Sequence, residues 1–330
     1  MAVIRERGIV MSTRTWITMT LLTLFLFVPP ARSSGMNPGS CLLFPYYDAS
    51  GATISIHTIT NVGTVDVQII QVFVDGSSGE KATNWTTIRA GDTLTIAAHG
   101  VYSVGTGFMY AYVVESIFSH LEKKADVLVG QEIVLGVWDH QLVNFSMNAV
   151  SFQALDLVKD ERLHLDGKEY TCAPKTLYFP RFFGQDSAFF SRVILINLTG
   201  GQYFNVSAEC LIYNDNGQVF GDYISFDCFE IMKLTDISAG TTKTFLLNTN
   251  HAPQEPWPFY AYAETGAFRI RGVMATNQDQ TVKIPNPSIF AVLVEGFGTL
   301  GYSAGDLPMQ IEDPAVYNHA MLWSTDPSGT

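Results

Sequence analysis

The sequence predicts an all-β protein: two tandem homologous β-sandwich domains of Ig-like or jelly-roll-like kind, with minor helical insertions. Three observations carry this. Apolar and polar residues alternate with period two, as in "TISIHTIT" (53–60) and "VDVQIIQVFV" (65–74), and these runs are rich in Val, Ile and Thr. The runs end in Gly-, Asn- and Asp-rich turns such as Asp75–Gly79 and Asn214–Gly217, spaced as a sandwich requires. An aromatic–proline phrase is spelled twice, "LLFPYYD" at 42–48 and "LYFPRFF" at 177–183, each near the start of a series of such runs.

The first 33 residues stand apart from this pattern. Arg5, Arg7 and Arg14 precede an apolar run from Ile17 to Val28, closed by Pro29, Pro30 and the small-residue exit Ala31-Arg32-Ser33. That order of basic region, apolar core and small residues is a signal-peptide layout. Its core is shorter than the roughly 20 apolar residues that span a bilayer. The long basic region leaves Met1 and Met11 both open as the start. A lipoprotein leader is the competing reading, because Ser40-Cys41 follows, but Pro38 stands where an aliphatic residue is wanted. The expected address is therefore secreted, extracellular or periplasmic, with no transmembrane anchor.

The leader holds four Arg and one Glu, so the remaining 297 residues carry 15 basic and 30 acidic groups, a net −15 against −12 for the whole chain. Such a chain repels phosphate backbones, and nucleic acid is not an expected partner. The length suits two domains, placed at 36–165 and 170–330.

The two opening phrases begin an alignment of the halves. "ISIHTITNVGT" (54–64) meets "SRVILINLTGG" (191–201), pairing Asn61 with Asn197. "VFVDGSSGE" (72–80) meets "LIYNDNGQ" (211–218), pairing Gly79 with Gly217. Further on, "IRAGDTLTI" (88–96) meets "ISAGTTKTF" (237–245), "MYAYVVE" (109–115) meets "FYAYAET" (259–265), "IVLGVW" (133–138) meets "FRIRGVM" (268–274), and Asn148 and Phe152 meet Asn286 and Phe290. The drifting offset places extra residues near 219–234 in the second half and near 117–128 in the first. Short helices are expected at Glu115–Lys124 and Ala315–Trp323. Pro45 and Pro180 cannot donate to a ladder, which assigns the opening phrases to edge strands.

Four cysteines, Cys41, Cys172, Cys210 and Cys228, allow three disulfide pairings in an exported protein. Cys210–Cys228 is favoured, since two neighbouring strands could bring them into range, leaving Cys41–Cys172 to join the domain starts. Buried free thiols are the competing reading.

Several short motifs mimic chemistry. "GFGTLG" (296–301) satisfies the dinucleotide fingerprint, but no helix and second parallel strand can follow it in the 29 residues that remain. "GYSAG" (301–305) satisfies the nucleophile-elbow pattern around Ser303, yet Asp306-Leu307-Pro308 breaks the required helix, and His319 is the only histidine downstream. "YNDNGQ" lacks the acidic residue that closes a calcium loop, and reads as a hairpin turn. The histidines are dispersed. No catalytic, cofactor-binding or metal-ligating residues are nominated, and no cofactor is expected. The aromatics, at 12% of the chain, are the remaining signal: Trp85, Trp257, Tyr46 and Tyr47 flank turns or prolines and form a candidate ligand surface. Four Asn-x-Ser/Thr sequons, at Asn84, Asn144, Asn197 and Asn205, are acceptors only in a host that glycosylates them.

"LLFPYYD…ISIHTITNVGTVDVQIIQVFVDG…AGDTLTI" resembles a loose group of exported bacterial proteins that open their domains with a "FPYY" or "FPHF" strand. The resemblance covers about 41–115 and 177–265. It implies secreted tandem β-sandwiches of uncharacterised function and brings no catalytic residues with it.

The functional expectation is a secreted or cell-surface structural or interaction protein without catalysis, self-associating through sheet edges or binding another surface protein. The alternative is an extracellular glycan- or ligand-binding module that uses exposed aromatics. A hydrolase is the third reading.

Overall fold

Strands form where the period-two runs stand. In the first half they are β1 (Cys41–Asp48), β2 (Ile54–Asn61), β3 (Val67–Asp75), β4 (Lys81–Ile88), β5 (Thr93–Ala97), β6 (Thr106–Val114), β7 (Leu128–Trp138), β8 (Gln141–Asn148), β9 (Val150–Phe152) and β10 (Arg162–His164). In the second half they are β11 (Thr176–Phe183), β12 (Phe189–Asn197), β13 (Phe204–Tyr213), β14 (Val219–Phe226), β15 (Phe229–Lys233), β16 (Thr265–Asn277), β17 (Lys283–Pro285), β18 (Ile289–Phe297), β19 (Gly301–Asp306), β20 (Met309–Gln310) and β21 (Met321–Trp323). Two one-turn helices, α1 (Leu234–Ile237) and α2 (Lys243–Leu246), follow β15. The protein is thus all-β. These elements come from a computed structural model that describes residues 37–101, 105–138, 140–158, 162–174, 176–184, 189–200, 203–214, 217–246, 265–298, 301–310 and 321–323. The leader lies outside the described residues.

The strand order repeats. The first sheet runs β4-β3-β6-β1-β9, and the second runs β14-β13-β16-β11-β20, with β17 added on β16. A third, long sheet runs β15-β12-β18-β19-β8-β7-β2-β5. It has a first arm (β5, β2, β7, β8) and a second arm (β15, β12, β18, β19), joined where β8 and β19 run parallel at Val143 and Tyr302. Strands β10 and β21, each at the end of its half, pair with one another with Leu163 opposite Leu322.

Burial orders these pieces into four layers. Of the inward residues of the first arm, Ile59, Ile96 and Leu128 pack with Leu42, Phe44 and Phe73 of the first sheet, whereas Val134, Val143, Phe145 and Met147 near the β8–β19 junction join the core on that sheet's other face. The opposite face of that sheet, with Leu43, Ile70, Val72, Tyr110 and Tyr112, packs against Ile194, Ile196, Val292 and Val294 of the second arm. The other side of the second arm, with Val193, Leu195 and Leu293, packs against Phe179, Ile212 and Phe268 of the second sheet. The sequence of layers is first arm, first sheet, second arm, second sheet. Strands buried on both faces lose alternation, which is why β1, β6 and β18 read as nearly continuous apolar runs. Beyond Ser33 the chain clusters as one unit, so the halves interleave rather than sit side by side.

The opening phrase makes a bulge twice. In β1 the register with β6 slips between Phe44 and Tyr47, and in β11 the register with β16 slips between Phe179 and Phe182. The edge-strand expectation is corrected, since both strands lie inside their sheets. Proline is tolerated because β9 pairs only with Cys41–Leu43 and β20 only with Leu177–Tyr178, so each ladder has ended before the proline on that side. Opposite each bulge is a glycine, Gly107 facing Tyr47 and Gly266 facing Phe182. A Cβ on Gly107 would lie 1.9 Å from the Val74 carbonyl oxygen, and one on Gly266 would lie 2.8 Å from that of Tyr213.

Asn61 and Asn197 form matching corners. Asn61 donates from Nδ2 to the carbonyls of Val65 and Ile88 and accepts from the Gly63 amide. Asn197 donates to the carbonyl of Phe204 and accepts from the Thr199 amide. The first blocks of the sequence alignment therefore coincide with equivalent strands. Of the later ones, three do not, and "FYAYAET" (259–265) lies outside the described residues except for Thr265. "FRIRGVM" lies on β16, whose place in the sheet is that of β6, whereas "IVLGVW" lies on β7, whose counterpart is β18. Phe152 lies on β9 and Phe290 on β18, so they are not counterparts either. "ISAGTTKTF" falls in the helical connection after β15, and residues 219–234 are mostly β14 and β15 rather than an insertion. Alternating strands resemble one another at any register, so the pattern alone could not choose. The helix expected at Glu115–Lys124 is a turn with an isolated bridge from Val114 to Glu122. Of Ala315–Trp323, only Met321–Trp323 is described, as a strand.

Candidate interaction surface

The first arm shows two chemically different sides. Along β2, Ser55, His57, Ile59 and Asn61 are buried, and Ile54, Ile56, Thr58 and Thr60 point outward. The outward set continues with Val129, Gln131, Ile133, Leu135 and Val137 on β7, Leu142, Asn144, Ser146 and Asn148 on β8, and Thr93, Thr95 and Ala97 on β5. None of these residues carries a charge. The register places Ile54 opposite Leu135, Ile56 opposite Ile133, and Val137 opposite Leu142, which gathers the aliphatic side chains at one end. Ile54 and Leu142 are more than half exposed, at 56% and 58%. Hydroxyls fill the other end, where Thr60 and Thr93 are hydrogen-bonded at 2.8 Å and Thr58 donates to the Gln131 carbonyl.

Beneath this face is a buried ionisable pair. His57 Nε2 lies 3.1 Å from the Tyr46 carbonyl oxygen and 3.9 Å from Glu132 Oε2. A carbonyl can only accept, so Nε2 carries the proton. Burial lowers the His57 pKa to about 4, against the favourable hydrogen bond that Nε2 donates to the Tyr46 carbonyl, and burial holds Glu132 well above the ordinary carboxyl range. His57 is therefore neutral near pH 7, and burial favours the protonated form of Glu132. Phe44 and Phe73 enclose the imidazole edge-on at 5.2 and 5.9 Å.

At the far end of the layers, the outer face of the second sheet presents Tyr178, Leu211, Tyr213, Tyr223 and Met309 around an ionic centre. Arg269 and Arg271 each approach Glu209 Oε2, at 3.4 and 3.2 Å. The register makes these the counterparts of buried residues in the first sheet. Leu43 faces Tyr110 as Tyr178 faces Arg269, and Ile70 faces Tyr112 as Glu209 faces Arg271.

The residues singled out in the sequence scatter. Tyr46 and Tyr47 are fully buried, which removes them from any ligand surface. Tyr46 packs edge-on against Trp138, accepts from its indole Nε1 at 2.8 Å and donates to Asp48 at 3.2 Å. Aromatic side chains beside a bulge in a doubly covered sheet serve the core. Trp85 is 55% exposed on the edge strand β4. Trp257 lies outside the described residues.

The favoured Cys210–Cys228 bridge is overturned. All four cysteines are buried, and none forms a disulfide. Cys210 lies in the core between the second sheet and the second arm, whereas Cys228 lies in the core on the opposite side of that arm. Cys41 and Cys172 are likewise not bridged to each other, so the tentative second disulfide is absent as well. Burial pushes the thiols of Cys210 and Cys228 up to about 12 and raises that of Cys41 further.

The glycine motifs form the β18–β19 hairpin, with Gly298 and Gly301 at φ +45° and +74°. Ser303 is exposed on β19, which pairs antiparallel with β18 and parallel with β8, and not at a strand–helix corner. His319 lies outside the described residues. Among the described residues no group of three or more His, Cys, Asp or Glu side chains is placed to hold a metal ion, and no helix is long and apolar enough to cross a membrane. The uncharged outer face escaped the sequence reading. Its signal is present: the odd positions from 129 to 137 and the even positions of 54–60 and 142–148 hold no charged residue. Comparison with protein-family models and with curated proteins found no match.

Proposed function

We propose that the chain is a non-catalytic structural or interaction protein that works outside the cytoplasm, with its leader removed, and that it associates with protein surfaces through its sheets. The observation that carries this is the outer face of β5, β2, β7 and β8. An acidic chain of net −12 leaves one broad sheet face without a single charge and with Ile54, Leu135, Val137 and Leu142 exposed. Exposed apolar patches rimmed by polar groups mark interaction sites. Edge strands add to it: β4 and β5 end their sheets, and of the two only β4 carries a charge, Lys81 at its first residue. The halves read as duplicates of one sandwich that have interleaved, in keeping with the resemblance to exported tandem-sandwich proteins.

The test is to produce residues 34–330 in an oxidising compartment and measure mass in solution across concentration, with negative-stain imaging of the same sample. Ordered oligomers or filaments support the reading. A monomer at all concentrations turns attention to the second reading, glycan binding, which the exposure of Trp85 favours. Retention on polysaccharide that is lost in Trp85→Ala would establish that alternative.

A further inference from the structure

We infer that the partner is a second copy of this chain, and that copies stack head to tail, the outer face of the first arm of one molecule covering the outer face of the second sheet of the next. This rests on the reading of the chain as an interaction protein and specifies its partner.

The argument comes from the layers. A molecule built as first arm, first sheet, second arm, second sheet contains, besides the β8–β19 and β10–β21 pairings, one face-to-face contact between its repeats: the outer face of the second arm against the outer face of the first sheet. The two terminal faces are the counterparts of those buried ones. The first arm stands to the second arm as β2 to β12 and β7 to β18, so Thr58 and Thr60 occupy the places of Ile194 and Ile196, with His57 opposite Glu132 as Val193 is opposite Leu293. The second sheet stands to the first as Arg269 to Tyr110 and Glu209 to Ile70. One end of the molecule is therefore shaped like half of an interface that the chain has already built, and the other end like its complement. A heterologous contact of this kind does not close on itself and propagates.

The chemistry of the two ends has shifted in the same direction. Where the internal contact has Tyr110, Tyr112 and Ile70 against Ile and Val, the ends have Arg269, Arg271 and Glu209 on one face, and Thr, Asn144, Asn148 and Gln131 on the other. Side-chain carbonyls and hydroxyls can accept from guanidinium groups, and the aliphatic end of the first arm can receive Tyr178, Leu211 and Tyr213. Tyr, Arg and Met are the residue types enriched in interfaces. Electrostatics allow it too. Copies of an acidic chain repel, but one of these faces is uncharged and the other holds two Arg against one Glu. Four strands about 4.8 Å apart and five residues of about 3.3 Å give a patch of roughly 20 by 17 Å. Two such faces bury roughly 700 Å² in total, below the standard interface size, so each contact is a weak, transient one.

The test uses residues 34–330 and two surface variants, Leu135→Lys on the first arm and Tyr178→Lys on the second sheet, with thermal melting to show that each is folded. The wild-type mass should rise with concentration beyond a dimer. Each variant alone should be monomeric, because it keeps only one working face. A one-to-one mixture should form dimers and stop there, since Leu135→Lys supplies the second-sheet face and Tyr178→Lys the first-arm face. If either variant fails to fold, Thr95→Lys and Met309→Lys test the same faces from other exposed positions. Loss of association in Leu135→Lys with none in Tyr178→Lys would mean a two-fold contact between first arms and would overturn the stacking. Association unchanged in both variants would overturn the proposed faces while leaving the interaction reading intact. A wild-type chain that never exceeds monomer mass would overturn self-association altogether.

Discussion

His57 faces Glu132 across β2 and β7, and at the equivalent register of the other half Val193 faces Leu293. The same fold position thus holds a buried ionisable pair in one copy and hydrocarbon in the other, so the backbone does not require the pair. What the pair brings is a pH dependence that the second copy lacks.

The two groups oppose each other in sign. His57 has a folded pKa near 4 against 6.5 unfolded, so its contribution is complete above 6.5 and is lost as pH falls toward 4. Glu132 is raised above its unfolded value of 4.5, so its contribution is complete below 4.5 and is lost as pH rises toward the folded pKa. Each slope is about 1.4 kcal/mol per pH unit. Above 4.5 the Glu132 slope opposes that of His57, and above 6.5 the His57 slope is absent. In Glu132→Gln, stability should rise from pH 4 to 6.5 more steeply than in the wild type, because the opposing Glu132 slope is gone. Urea midpoints at pH 5, 6.5 and 8 measure this. Parallel curves for the two proteins would show that Glu132 is ionised in the folded state.

Gly107→Ala should destabilise by about 1–3 kcal/mol, as overpacking does, because its Cβ would meet the Val74 carbonyl oxygen and the backbone cannot yield cheaply. Gly266→Ala should act in the same direction, with Phe182 and the Tyr213 carbonyl in the way. Thermal melts of the two variants test whether the glycine opposite each bulge is a requirement of the Pro-containing strand. A neutral Gly107→Ala would refute it.

Removing the corner amides should cost about 1–3 kcal/mol each, since buried donors and acceptors are left without partners. Asn61→Ala strips three hydrogen bonds, and Asn197→Ala at least two. Asn61→Asp keeps the acceptor for the Gly63 amide but cannot donate, so it should also destabilise, which separates the donor's role from that of the turn. Denaturant midpoints give the ranking.

Thiol reagents should find all four cysteines only after unfolding, since each is buried and protonated far above neutral pH where its pKa is raised. Reductant should leave the melting temperature unchanged, and peptide maps without reduction should show four unlinked cysteine peptides. A linked Cys210–Cys228 peptide would contradict the layer positions of these residues.

The sequence carried the strands, most of the turns and the repeat, because alternation, β-branched residues and Gly/Asn turns act locally. It placed Asn61 against Asn197 correctly, since a corner that bonds its own backbone leaves a local mark. Register across later blocks was lost, because any alternating strand matches another. Pro45 and Pro180 suggested edges, but the ladder that would have excluded them ends two residues earlier, a fact about β9 and β20 rather than about the phrase itself. Burial of Tyr46 and Tyr47, separation of Cys210 from Cys228, and exposure of the first-arm face were decided only when the second arm came to lie between the two sheets. Which face of a strand is covered depends on partners more than a hundred residues away, and period two alone specifies that a strand has two faces without saying what meets each.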